Sequence, residues 1–224
     1  MFDLNHYLET LITACKRSFG GRLLYVGLQG SYLRGEAHEN SDIDVMVVIE
    51  NLSVSDMAEY RALLKQIGYY EKSCGFLCGK EELSGWNPLE ICHLLHTTKD
   101  LYGTLNLLLP KATRADEINY VKLSLGNVYH ELCHRYIHAD EETLKANFRV
   151  LCKNFFFLIQ NLHYLESGTF INTQKELKEY VSASDRAVLE LSENQGEFDF
   201  NGAFAVAFAW CQNAFLRMKK LKSE

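Results

Sequence analysis

The chain has 224 residues, 47% of them hydrophobic and 23% charged, which suits one large or two small globular cores and excludes fibrous and disordered classes. Its formal net charge of −6 disfavours nucleic acid as a partner, because neutralising phosphates takes clustered Lys and Arg. The acid excess is lopsided: residues 1–110 carry 14 acidic and 9 basic side chains, against 15 and 14 in residues 111–224.

Residues 1–19 show no basic leader followed by a continuous apolar run, so no export signal is expected. Apolar residues at helical spacing (Leu8, Leu11, Ile12, Cys15) predict a helix over 5–18, stopped by Gly20-Gly21. Short apolar runs at 23–28 and 42–49 read as buried strands. An amphipathic helix is expected over 55–67, a third strand over 74–78, a helix over 86–95 and a fourth strand over 99–102. After Pro110 only helical periodicity remains, at 117–138, 142–166, 173–182, 184–194 and 202–221, with breaks at Gly168, Asn172 and Gly196. Phe155-Phe156-Phe157-Leu158-Ile159 is too short to span a bilayer, and Phe155, Phe156, Phe157, Leu158, Leu162, Leu165, Trp210 and Phe215 are expected in a core. The fold class expected is therefore an α/β domain, a small mixed sheet with helices, over 1–110, followed by an all-α helical bundle over 111–224. Seven cysteines at irregular spacing do not form a disulfide framework. Cys74, Cys78 and Cys92, near His93 and His96, read as buried thiols acting as small hydrophobes rather than as a zinc site. Reduced thiols and the absence of a membrane span make a cytoplasmic protein the expectation.

Between the first two strands runs GSYLRGEAHENSDIDVMVV, residues 30–48. Residues i and i+2 of a strand share a face, so Asp42 and Asp44 project together, about 7 Å apart at the backbone. Two ionised carboxylates so placed repel unless a hard cation bridges them, and oxygen ligands of this kind suit Mg2+. Gly30 lets the backbone approach an anion closely, and Ser31 offers a hydroxyl and an N–H beside it. Arg34 can add charge to a triphosphate, and Gly35 permits a second sharp turn.

The spacing G-S-x-x-x-G-x5-S-D-x-D, carried by Gly30, Ser31, Gly35, Ser41, Asp42 and Asp44, resembles the nucleotidyltransferase superfamily that includes DNA polymerase beta. The resemblance implies Mg2+ bound by Asp42 and Asp44, and an NTP, with ATP expected, held by Gly30, Ser31, Arg34 and Ser41. The superfamily usually supplies a third carboxylate from a neighbouring strand. The run 74–78 contains none, and Glu71, Glu81 and Glu82 only flank it.

The string His130-Glu131-Leu132-Cys133-His134, with His138 one turn on, matches H-E-x-x-H, and a helix puts the three His on one face. Three readings stand: a polar seam between helices, a base or substrate contact, and a zinc-hydrolase site. The helical half is similar to the C-terminal domain of kanamycin-type aminoglycoside nucleotidyltransferases. That likeness implies a catalytic base on an early helix, which falls on Glu131 or His134, and a homodimer through this half.

The function expected is transfer of a nucleoside monophosphate from the NTP to a hydroxyl of a small acceptor, an aminoglycoside being favoured by the acidic first half and carrying an antibiotic-resistance role with it. The alternative is a nucleotide-binding regulatory or toxin–antitoxin-type protein with weak or no catalysis, or one that modifies a protein partner. Charge sets nucleic-acid polymerisation below both.

Overall fold

Strands β1 (Leu23–Leu28), β2 (Ile43–Ile49), β3 (Ser73–Gly79) and β4 (Lys99–Tyr102) form one mixed sheet in the order β3-β2-β1-β4. The computed structural model describes residues 2–192 and 199–221, with Leu89 and Cys92 described by backbone alone. The chain divides into two compact units, Met1–Lys111 and Ala112–Glu224.

In the first unit β2 is one of two interior strands, antiparallel to β1 and parallel to β3. Its unbroken run of Val, Ile and Met is the composition of a strand covered on both faces. Ile43, Val45, Val47 and Ile49 enter one core with Leu8, Leu11 and Phe19 of α1 (Leu4–Phe19) and Leu63 of α3 (Val54–Ile67). Met46 and Val48 point the other way, into a core with Tyr25, Cys78, Leu105 and Leu83 of α4 (Lys80–Ser84). The strand period of two therefore puts Asp44 on the Met46 face, at the head of β2. Two five-residue elements were not read from sequence as complete helices: α4, and α2 (Gly30–Arg34). Neither is long enough to show a periodicity of 3.6. The helix α5 (Pro88–Thr97) completes the unit, opening on a proline where no backbone donor is needed.

Local chemistry sets several ends. Asp3 caps α1, accepting from His6 N at 3.1 Å. Ser53 and Asp56 form a reciprocal capping box on α3, and Arg22 clamps the buried Asp56 carboxylate with two bonds of 2.9 and 2.7 Å. The guanidinium beside it holds the Asp56 carboxyl well below the usual carboxylate range.

The second unit is helical: α6 (Arg114–His138), α7 (Glu141–Ser167), α8 (Gln174–Tyr180), α9 (Ala183–Leu191) and α10 (Phe200–Met218). Thr113, Asp140, Thr173 and Ser182 each cap the helix that follows, and Gly168 at φ 76 ends α7 in the left-handed conformation. One apolar cluster runs through it, with Phe155, Phe156, Leu158, Leu162, Leu165 and Trp210 buried and Phe215 packed against it. Phe157, expected in the core, is 37% exposed because helical rotation turns it away from its two aromatic neighbours. Gly196, read as a break between helices, lies outside the described residues. Among the described residues no helix is long and apolar enough to cross a membrane.

Candidate active site

The first half of the site is a turn that only glycine can make. Gly30 follows β1 with φ +68, and a methyl group there would collide with the Asp44 carboxylate, ending within 2.7 Å of Asp44 Cγ. The missing side chain is what lets Asp44 lie against the turn. Gln29 N donates to Asp44 O at 2.9 Å, which ties the turn to the head of β2 through the backbone as well. Ser31 and Arg34 follow in the single turn of α2, both half-buried. Gly35, at φ 69, closes that turn, with Glu36 N donating to Ser31 O at 2.9 Å. Arg34 Nε donates to Glu36 Oε2 at 2.8 Å.

Residues 36–41 fold back on themselves. Ser41 N donates to His38 O and Ser41 Oγ accepts from His38 N, both at 2.9 Å, and Lys72 Nζ donates to Glu39 O. Ser41 is 8% exposed. Its observed contacts brace this turn, which leads into β2.

Asp42 is exposed and Asp44 is half-buried. Burial raises the Asp44 pKa above the usual carboxylate value; contact with the Cys74 thiol opposes the shift, repulsion from Asp42 adds to it, and the Arg34 charge opposes it. The net direction is upward, chiefly because burial penalises the charged carboxylate. Two carboxylates side by side are the donor type that suits a hard cation. Among the described residues no three His, Cys, Asp or Glu side chains are gathered as a complete metal-ligand set. Two carboxylates would hold Mg2+ only with further oxygen ligands from phosphate and water.

Cys74 was missed by sequence reasoning, which expected it buried. It is exposed, and it stands in register opposite Asp44 on the parallel strand β3. Register partners share a face, so thiol and carboxylate meet. The signal is absent from the local sequence because it depends on how β3 docks. Cys78 is buried as expected, and the side chain of Cys92 lies outside the described residues.

Glu131 and His134 belong to α6 in the second unit. Glu131 Oε1 accepts from Arg135 Nε at 2.6 Å, an i,i+4 pair. His134 is exposed and lies between His130 and His138, with ring centroids 5.7 and 4.8 Å away.

Residues 8–75 match the family model described as a nucleotidyltransferase domain. The match runs from α1 to the start of β3 and includes Gly30, Ser31, Asp42, Asp44 and Cys74. A Methanocaldococcus jannaschii protein named as a candidate protein adenylyltransferase, MJ1305, is 38% identical over 60 residues, which is 27% of this chain and 41% of that protein. The chain thus aligns with less than half the length of this curated relative. Among solved structures, a spectinomycin adenyltransferase, AAD(9) from Enterococcus faecialis with ATP and spectinomycin, superposes with a TM-score of 0.59 at 16% identity, covering 97% of this chain and all of that one. At that identity the likeness shows the fold. A toxin–antitoxin chain solved with AMP-PNP aligns over 60% of this chain and 97% of its own at a TM-score of 0.32 and 25% identity, too loosely to carry an argument.

Proposed function

We propose that the chain, whose first unit carries a nucleotidyltransferase domain, is an enzyme that transfers a nucleoside monophosphate, AMP first, from an NTP to a hydroxyl of a small acceptor. The observation that carries this reading is the half-buried Asp44, seated against Gly30 and beside Asp42 at the head of β2. In this reading the backbone of Gly30, the hydroxyl of Ser31 and the charge of Arg34 hold the triphosphate, and Ser41 keeps the entry to β2 in place. Asp42 and Asp44 hold Mg2+, which when bound neutralises phosphate charge and favours in-line displacement. Glu131 or His134 takes the proton of the acceptor hydroxyl, a task a His suits near neutral pH. The acidic first unit favours a cationic acceptor of the aminoglycoside type, and the spectinomycin of the AAD(9) structure makes that compound the first to try. The reading is set in the cytoplasm, where reduced thiols and NTP coexist, and it includes a homodimer through the helical unit, which sedimentation checks.

A protein acceptor is the second reading, supported by the 38% identity to the candidate protein adenylyltransferase. Labelled ATP separates the two: label on spectinomycin or a related compound supports the first, and label on a polypeptide supports the second. The site itself is tested by calorimetric titration of ATP with Mg2+ and then with EDTA, on wild type and Asp44→Asn. Binding should need the metal and fall at least about a hundred-fold in the variant, the several kcal/mol that a held cation supplies. Equal binding by both proteins would overturn the assignment.

A further inference from the structure

The site holds a third group whose place is set entirely by the sheet. Across the parallel seam Asp44 pairs with Cys74, and the neighbouring pairs are Ile43 with Ser73 and Val45 with Gly75. Both flanks of Cys74 are pinned. Ser73 Oγ lies 3.0 Å from Tyr7 Oη in a hydrogen bond, which ties the start of β3 to α1. Gly75 has φ +139, a conformation L side chains rarely adopt, and a methyl group there would collide with the Val45 carbonyl and come within 2.7 Å of Val45 N. The Val45 backbone leaves no room for a side chain at residue 75, which fixes the strand register beside Cys74 and keeps its Cβ opposite Asp44. Asp44 is bracketed: Gly30 on the β1 side, Cys74 on the β3 side, Asp42 two residues back.

We infer that Cys74 is the positioning residue of Asp44 and fills the third corner of the acidic site, so that the cluster offers two carboxylates and a thiol where a third carboxylate would make a cation site complete without nucleotide. The inference rests on the reading of Asp42 and Asp44 as the cation-binding pair. Two consequences follow. Cation binding by the wild type depends on the oxygen ligands that nucleotide phosphates bring, because two carboxylates are a thin donor set for a hard ion. A carboxylate at residue 74 supplies what is missing, because Cys74 is exposed and already faces the pair.

The test uses the full chain and Mn2+, whose free-ion paramagnetic resonance signal falls on binding. Wild type, Cys74→Asp, Cys74→Glu, Cys74→Ser, Cys74→Ala and the double variant Cys74→Asp/Asp44→Asn are titrated with Mn2+ alone and with Mn2+ plus ATP. Cys74→Asp, or Cys74→Glu if the shorter side chain perturbs folding, should tighten nucleotide-free Mn2+ binding about ten-fold or more, in line with the added ligand charge, and the double variant should lose that gain. With ATP present, Cys74→Ala should weaken Mn2+ binding while Cys74→Ser, which keeps a donor of similar size, stays close to wild type. Unchanged nucleotide-free binding in both acidic variants would overturn the inference, whatever the wild type does with ATP. Loss of Asp44 dependence in ATP binding would instead overturn the function proposed above, so the two failures are distinguishable.

Discussion

Asp185 of the helical unit and Asp44 of the sheet unit are both withdrawn from water, and the two are treated in opposite ways. Asp185 of α9 is 1% exposed, and its burial raises its pKa, but Arg217 at 2.6 Å, the Trp210 indole at 2.6 Å and the Ser182 hydroxyl at 2.7 Å outweigh that and hold it below the usual carboxylate value. Arg217 is itself shared with Glu166 through bonds of 2.8 and 2.6 Å. Asp44 is less buried, yet burial and Asp42 raise its pKa, and the Cys74 thiol and the Arg34 charge fall short of cancelling them. Burial alone does not decide the state of a carboxylate; the partners brought to it do. Asp185, like Asp56 beside Arg22, is given a cation and hydrogen-bond donors that favour its charged form, whereas at Asp44 the cost of burial outweighs its partners. Under the function proposed above, that difference separates a structural acid from one poised for a ligand.

The sharpest way to break this contrast is to unpair Asp185. Arg217→Ala should destabilise the protein by about 3–5 kcal/mol in urea unfolding, because a buried carboxylate is left without its cation. A loss below about 1 kcal/mol would mean that Trp210 and Ser182 suffice. Next comes Gly30→Ala. It should cost about 1–2 kcal/mol from the positive φ and, by pushing Asp44 aside, remove Mg-dependent ATP binding with it. Retained binding at reduced stability would show that the Gly30–Asp44 contact is structural only.

The two carboxylates should also give stability slopes of opposite sign. For Asp185 the folded pKa is depressed, so its stabilisation is present above the unfolded carboxylate range and is lost as pH falls through the folded value; the advantage of wild type over Asp185→Asn should shrink on acidification. For Asp44 the folded pKa is raised, so the ionised group destabilises at neutral pH. Asp44→Asn should equal or exceed wild type in stability there, with the difference closing as pH falls below the usual carboxylate range. Parallel slopes in urea-midpoint measurements from acid to neutral pH would refute the contrast. The smallest stability effect belongs to α6: Glu131→Gln removes an i,i+4 pair with Arg135, about 0.3–0.5 kcal/mol. If that residue or His134 is the base, Glu131→Gln or His134→Ala should slow transfer without weakening ATP binding. Normal turnover in both would move the base elsewhere.

The fold class was legible because its signals are local. Leu23–Leu28 and Ile43–Ile49 appear as strands where the apolar runs stand, and α1, α3, α6 and α7 follow the 3.6-residue spacing to within a few residues of their caps. The five-residue helices α2 and α4 are too short for that signal, and Phe157 shows that an apolar run does not say which member faces out.

By itself the sequence determined that Gly30 and Gly35 can turn the chain ahead of β2, and it led to the expectation that Asp42 and Asp44 share a face, because strand parity and glycine's freedom are properties of the backbone within a few bonds. Only the tertiary structure decided that Gly30 touches Asp44, that Cys74 lies opposite it and that Asp185 meets Arg217, residues 14, 30 and 32 apart along the chain. Those meetings depend on how strands register and helices pack, and the energy that sets them is summed over whole cores rather than written in any short stretch.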